Sequence, residues 1–121
     1  MGKRSLTPEV LALIGARFKA LAEPARLHIL DRLRARELTV NDLAEATGLG
    51  QANVSKHLRL LRSLGFVDRR KEGLFVYYSI ADRSVFQLCD IMCGRLGAEL
   101  EARRKLLGSA RISARPPISG L

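Results

Sequence analysis

Apolar residues recur at every third or fourth position through most of the chain, a spacing that predicts amphipathic helices. Local signals mark where these helices begin and end. Thr7-Pro8-Glu9 is a helix start, with a capping hydroxyl, a proline and an acid in the first turn. Thr39 and Asp42 have the spacing of a capping box, and Gly48 suits a left-handed helix end. The five predicted helices cover about residues 8–21, 24–36, 40–47, 51–64 and 83–107.

The apolar period changes after Gly65. Residues 66–70 and 74–80 read as strands joined by Lys71-Glu72-Gly73, a short loop with a glycine, which predicts a β-hairpin. Residues 108–121 have no periodicity and contain two adjacent prolines, which indicates a flexible basic tail. The sequence predicts a mainly α fold with a small hairpin over residues 1–107, followed by the tail at 108–121.

The third and fourth predicted helices have the spacing of a helix-turn-helix. Ala44 is small enough for two helices to cross closely, Gly48 supplies a positive φ, and Val54 packs the second helix onto the first. The second helix of such a pair meets base edges in the major groove of DNA. The alternative interpretation is that the polar residues of this helix simply face solvent, as they do on any exposed helix surface. The candidate DNA contacts on this helix are Gln51, Asn53, Ser55, Lys56, His57 and Arg59.

These side-chain types suit base recognition. Gln and Asn form paired hydrogen bonds with adenine, while Lys and Arg reach guanine or phosphate. His57 lies at the border of the apolar stripe, where it either contacts DNA or packs. In the hairpin, Arg69, Arg70 and Lys71 lie near the predicted tip, where a wing neutralises phosphate.

Charge supports this interpretation. The chain has 21 Lys and Arg residues against 12 Asp and Glu residues, a formal net charge of +9, which favours a polyanionic partner. Between Gln51 and Phe75 there are six basic and two acidic residues, a net charge of +4. The excess charge therefore lies where the helix-turn-helix and the wing predict contact. Four more basic residues lie near the two ends of the chain: Lys3, Arg4, Arg111 and Arg115.

From about residue 17 to 100 the chain resembles the ArsR/SmtB family of winged-helix repressors. The resemblance rests on FKALAEPARLHILDRL, on DLAEATGLGQANVSKHLRLLRSLGFVDRRKEGLFVYYSI and on the long helix that follows. It implies a homodimer held by the first and last helices, binding to an imperfect palindrome upstream of its own operon, and release by an effector. Gly50 departs from the family, which often has Ser as the cap of the recognition helix.

The apolar stripes of the first and last helices also favour a homodimer. Both are long for a small three-helix core to cover, and a two-fold dimer places two recognition helices about 34 Å apart, facing successive major grooves. The alternative is that the two stripes pack on each other within one chain.

Cys89 and Cys93 lie four residues apart, on one face of the last predicted helix. Two such pairs across a two-fold axis would supply four thiolates for a thiophilic ion such as As(III) or Cd(II), or for an oxidant. No cofactor is required. The alternative is that both cysteines are core residues. Sensor sites of arsenic-, cadmium- and zinc-sensing members do not transfer, since Thr39-Val40-Asn41 replaces a Cys-x-Cys and no His follows His57.

Other function classes are disfavoured. The longest apolar run, Val10–Ala16, is too short to span a membrane, and the absence of a secretion signal predicts a cytoplasmic protein. The sequence shows neither a nucleophile–base set nor a phosphate-binding loop, so an enzyme is disfavoured. Two rivals remain: a winged-helix regulator without metal sensing, and a basic module for RNA or membrane surfaces. RNA binding needs exposed aromatic residues, and strand alternation predicts that one of Tyr77 and Tyr78 is buried and the other exposed.

Overall fold

The structure, a computed structural model, describes residues 5–109. Its helices are α1 (Pro8–Leu21), α2 (Pro24–Ala35), α3 (Val40–Thr47), α4 (Gln51–Ser63) and α5 (Val85–Ser109), and its strands are β1 (Val67–Glu72) and β2 (Phe75–Ile80). This order confirms the predicted five helices and hairpin. Lys3, Arg4, Arg111 and Arg115 lie outside the described residues, as does most of the predicted tail. The extent of the predicted domain, residues 1–107, stays a prediction.

The chain divides after Asp82 into two compact units, one with α1 to α4 and the hairpin, the other with α5. The core of the first unit is apolar and draws on every helix and on β1. Its buried residues are Ala20, Ile29, Leu30, Leu33, Leu38, Leu43, Val54, Leu58, Leu61, Phe66 and Val67. In the second unit Val85 and Phe86 are buried at the start of α5, while most of the remaining described residues of this helix are exposed. Among residues 5–109, no helix is long and apolar enough to cross a membrane.

The helix ends follow the local signals in the sequence. Thr39 and Asp42 form the predicted capping box, in which the Thr39 hydroxyl accepts from the Asp42 N–H and the Asp42 carboxylate accepts from the Thr39 N–H, both at 3.1 Å. Gly48 ends α3 in the left-handed conformation, at φ 77°. Gly50 begins α4 in extended backbone without a side-chain cap. The α3–α4 turn is thus built by one capping box and one left-handed glycine.

The hairpin and the start of α5 differ from the prediction. Lys71 and Glu72 extend β1, because Glu72 pairs with Phe75 and the turn needs only Gly73 and Leu74. Gly73 has φ +61°, which lets the chain reverse over two residues. The expected three-residue loop is therefore wrong. Helix α5 begins at Val85, after a turn, rather than directly after Asp82.

A short extended segment between α2 and α3 connects the hairpin to the helices. Leu38, between α2 and α3, exchanges two backbone hydrogen bonds with Tyr78 in β2, at 3.1 and 2.8 Å. Val67 at the base of the hairpin is buried. The root of the wing is therefore fixed to the helix-turn-helix through both backbone and core.

Candidate nucleic-acid interface

One face of helix α4 packs against the core. Val54, Leu58 and Leu61 have no exposed surface, and their spacing places them along one side of the helix. This packing leaves the opposite side exposed over the whole length of α4. The candidate recognition surface is thus presented by a rigid element, which favours base contacts of defined geometry.

The predicted contact residues on α4 differ in their exposure and in their contacts within the protein. Asn53, Lys56 and Arg59 are exposed, and Ser55 is half-buried. Gln51 is exposed at the start of the helix, but its side-chain amide donates to the Asn41 Oδ1 of α3 at 2.6 Å. One of the two N–H donors of the Gln51 amide is therefore engaged within the helix-turn-helix itself.

His57 is half-buried and is bonded to a residue that the sequence pattern did not single out. Its Nδ1 lies 3.3 Å from Nη1 of Arg26 in α2, and because a guanidinium only donates, Nδ1 accepts. Arg26 also donates from Nε to the Ala20 carbonyl at 2.6 Å, at the end of α1. Burial, reinforced by the charge of Arg26, lowers the pKa of His57 below its usual value. Neutral His57 therefore carries its proton on Nε2.

The three basic residues of the wing lie on two faces. Side chains alternate along a strand, so Arg69 and Lys71 share one face and Arg70 lies on the other. Arg69 and Lys71 are exposed and make no ion pair with any residue between 5 and 109. The free positive charge of the wing is therefore confined to one face.

Arg70 is bound within the protein. Its Nε and Nη2 donate to the two carboxylate oxygens of Glu37 at 2.8 Å each, and its Nη1 donates to Glu72. The guanidinium also lies 4.9 Å from the centre of the Tyr77 ring. The hydrogen bonds from Arg70 lower the pKa of Glu37, and the two carboxylates raise that of Arg70. Glu37 lies 33 residues from Arg70, so no local spacing signals this pair.

The prediction for the two tyrosines is wrong, since both are half-buried. Tyr77 is covered in part by Arg70 and by Phe75, whose ring centre lies 6.3 Å away. Tyr78 is held by the backbone pairing with Leu38. Each face of β2 thus gains a partner that strand alternation alone does not reveal.

Cys89 and Cys93 are unbridged thiols on α5, the first half-buried and the second exposed. Among the described residues, no group of three or more His, Cys, Asp or Glu side chains is placed to hold a metal ion. Within residues 5–109, a single chain thus offers these two thiols without a third ligand of those types.

Helix α4 carries exposed basic residues, packs against the core as the second helix of a helix-turn-helix, and is followed by a β-hairpin. These features define a winged helix-turn-helix DNA-binding protein. The model of the arsR family of bacterial regulatory proteins matches residues 23–69. Over 85 residues the chain is 45% identical to the HTH-type transcriptional regulator NmtR of Mycobacterium tuberculosis, covering 70% of this chain and 71% of that protein. The chain belongs to the ArsR/SmtB family of transcriptional repressors.

Two further similarities support this assignment. The chain is 43% identical over 90 residues to a transcriptional repressor, the SmtB homolog of Synechocystis, covering 70% and 68% of the two chains. It also matches the solution structure of a homodimeric winged helix-turn-helix DNA-binding domain from Mycobacterium bovis, with 35% identity and a TM-score of 0.71, over 84% and 94% of the chains. These relatives are regulators of transcription, a class of DNA-binding proteins without enzymatic activity.

Proposed function

We propose that the protein is a dimeric transcriptional repressor that places α4 in the major groove of an imperfect palindrome. The observation that carries this proposal is the exposed set of Asn53, Lys56 and Arg59 on a helix whose opposite face is fully buried. Asn forms paired hydrogen bonds with adenine, and Lys and Arg with guanine. Because a regulator of this kind acts on DNA, we also propose that the protein is cytoplasmic.

Two residues of the wing supply phosphate contacts in this proposal. Arg69 and Lys71 are exposed on one face, and their charges are available to the DNA backbone. Arg70, by contrast, is held by Glu37 and Glu72, so we assign it to fixing the angle of the hairpin. His57 offers its Nε2–H to a phosphate, while Nδ1 is held by Arg26.

The dimer follows from apolar surface that the single chain leaves exposed. In α1 this surface includes Leu11, Leu13, Ile14 and Phe18. In α5 it includes Leu88, Ile91, Met92 and Leu96. Exposed apolar side chains of this kind are typical of protein interfaces, and a second copy of the chain is the partner we propose. The M. bovis structure, which is homodimeric, supports this choice.

Sedimentation equilibrium of wild type and an Ile91→Glu variant tests the dimer. We expect a dimer for the wild type and a large shift towards monomer for the variant, because a carboxylate would be buried in the interface. A wild-type monomer at micromolar concentration, or a variant that dimerises as the wild type does, would contradict the proposed interface.

Substitutions in α4 test the recognition surface. The probe is a duplex selected from a random-sequence library by the wild-type protein, with a scrambled duplex as reference. Lys56→Ala and Arg59→Ala should each weaken binding by about 1–3 kcal/mol if the side chain reads a base. Arg32→Ala removes the same charge from an exposed pair with Asp31 in α2 and should leave affinity unchanged.

Two results would overturn the assignment of α4. One is that both α4 variants bind the selected duplex as tightly as wild type does. The other is equal affinity of wild type for the selected and the scrambled duplex, which is the behaviour of a non-specific basic module for RNA or membrane surfaces.

We further propose that a thiophilic ion or an oxidant acts at Cys89 and Cys93 and releases the DNA. The two thiols are one helical turn apart, and two chains related by a two-fold axis would bring four of them to one interface. Four thiolates suit As(III) or Cd(II). The alternative is a repressor without sensing, in which the dimer buries both cysteines as apolar residues.

A double variant decides between these alternatives. Release of the selected duplex is measured by fluorescence anisotropy with arsenite, Cd(II), Zn(II) or peroxide, for wild type and for Cys89→Ser/Cys93→Ser. We expect arsenite, Cd(II) or peroxide to release the wild type but not the variant. Equal release of both proteins, or of neither, would assign the cysteines to packing.

A further inference from the structure

Two exposed amide side chains join the first turn of α3 to the first residue of α4. Nε2 of Gln51 donates to Oδ1 of Asn41 at 2.6 Å, between residues ten positions apart. Asn41 is not among the DNA contacts predicted from the sequence. Both side chains are exposed, and such a hydrogen bond contributes little net stability because water can bond to either group in its place. The stability of the fold therefore does not require this pair.

The backbones that carry the two amides are fixed by the helix-turn-helix. The capping box of Thr39 and Asp42 orders the first turn of α3, in which Asn41 lies. The left-handed Gly48 ends α3 and sets the direction of the turn into α4, which begins at Gln51. A side chain supported in this way by a second one, on ordered backbone, can be presented to a ligand in one orientation.

The hydrogen bond determines the orientation of the Gln51 amide. The last torsion of a glutamine side chain is broad and roughly two-fold, so an unrestrained amide exchanges the places of its carbonyl and its NH2 group. With Nε2 held at Asn41, this half-turn is opposed. The carbonyl Oε1 and the second N–H of Gln51 then remain for a ligand in a fixed order.

We propose that Asn41 is a positioning residue that orients Gln51 to read adenine in the major groove. This inference rests on the proposed function, since it places the start of α4 at the base edges. Adenine presents its N7 acceptor and its 6-amino donor there, and the free N–H and Oε1 of Gln51 match that pair. Guanine presents two acceptors, N7 and O6, so a fixed Oε1 would face O6 without a proton between them. Asn41 thus determines specificity without contacting a base.

Base preference, measured position by position, is the direct readout. The selected duplex is changed to all four base pairs at each position, and the affinities of wild type and Gln51→Ala are compared. The position where Gln51→Ala loses its preference is the Gln51 position, and wild type should prefer adenine there by about tenfold or more. Purine, which lacks the 6-amino group, and 7-deazaadenine, which lacks N7, should each bind wild type more weakly. Preference for another base at this position would overturn the proposal.

Two substitutions of Asn41 separate positioning from a structural role. Asn41→Ala frees the Gln51 amide and should reduce the adenine preference about two- to tenfold, since binding must then immobilise one more side chain. Preferences at all other positions should stay those of wild type, whereas a structural defect would change them too. Asn41→Asp keeps the acceptor, so it should retain the adenine preference although its charge weakens binding to every duplex. Wild-type preference in Asn41→Ala, or lost preference in Asn41→Asp, would overturn the proposal.

The double variant Asn41→Ala/Gln51→Ala is the matched control. If Asn41 acts through Gln51, removing it from Gln51→Ala should not change base preference any further. A further change of the same size as in the wild-type background would show that Asn41 acts independently, and would contradict the proposal. Urea denaturation shows that each variant is folded, and Asn41→Ala should have nearly the midpoint of wild type because the side chain is exposed.

Failure of this inference and failure of the proposed function give different results. If Gln51→Ala keeps the wild-type preference at every position while Arg59→Ala binds weakly, α4 reads DNA and the amide pair does not. If Lys56→Ala and Arg59→Ala also bind as wild type does, the recognition surface itself is wrong.

Discussion

The start of the recognition helix provides a sharp test of how the α3–α4 turn is built. Gly50 is the N-cap of α4 at φ −68° and ψ 152°, and it has no side chain to accept a hydrogen bond from the first turn. Any L-residue adopts this backbone conformation, and a Cβ at Gly50 would have no atom of the described residues within 4 Å, its two chain neighbours aside. We therefore expect Gly50→Ser to stabilise the protein.

The magnitude has two parts. A serine cap in place of glycine contributes a few tenths of a kcal/mol. Replacing glycine in a compatible conformation also lowers the entropy of the unfolded chain, which contributes about 0.4–1 kcal/mol. The free energy of unfolding should therefore rise by about 0.6–1.3 kcal/mol. With a denaturant slope of about 2 kcal/mol per molar urea, the midpoint rises by about 0.3–0.7 M.

Gly48→Ser is the matched control, the same chemical change two residues away. Its Cβ would also meet nothing within 4 Å in the described part of the chain, but Gly48 has φ +77°, where a side chain costs about 1–2 kcal/mol. Urea unfolding followed by circular dichroism, at one protein concentration, should show midpoints shifted in opposite directions. Equal shifts, or destabilisation by Gly50→Ser, would refute this account of the turn.

Three further predictions concern the core, the cap of α3 and the pH dependence. Leu58→Ala should cost about 2–5 kcal/mol in urea unfolding because Leu58 is fully buried, whereas Leu60→Ala, at an exposed position of the same helix, should cost much less. Thr39→Ala removes the capping box and should cost about 1 kcal/mol; no loss would contradict that role. Because the pKa of His57 is lowered in the folded state, the unfolded chain binds more protons below about pH 6.5, and stability falls as pH drops through that value. The variant His57→Gln should lose less stability than wild type between pH 7.5 and 5.5, and equal losses would count against a neutral His57 bonded to Arg26.

Elements set by local chemistry were predictable from the sequence. The capping box at Thr39, the left-handed Gly48 and the apolar spacing of Val54, Leu58 and Leu61 define the helix-turn-helix, and the structure confirms each of them. These features act over three or four residues, so they are visible as spacing. The same local rules gave α4 its exposed polar face.

Features that depend on distant partners were not predictable. Arg70 carries the same charge as Arg69, and only the position of Glu37, 33 residues away, separates their roles. The exposure of Tyr77 and Tyr78 likewise depends on Arg70 and Leu38, which contact them from β1 and from the α2–α3 connection. The register of the hairpin was missed because backbone pairing, rather than loop composition, decides how many residues the turn requires.

The salt dependence of DNA binding tests the central claim most directly. A dimer that places two copies of α4 and two wings on DNA neutralises about 6–10 phosphates, so its affinity should fall roughly 10³–10⁵-fold between 50 and 200 mM salt. The measurement is a titration of the selected duplex with wild-type protein across that range, with the scrambled duplex in parallel. A steep fall for both duplexes, with the selected one bound more tightly throughout, is the result we expect. An affinity that hardly changes with salt would contradict the assignment of α4 and the wing as a DNA-binding surface.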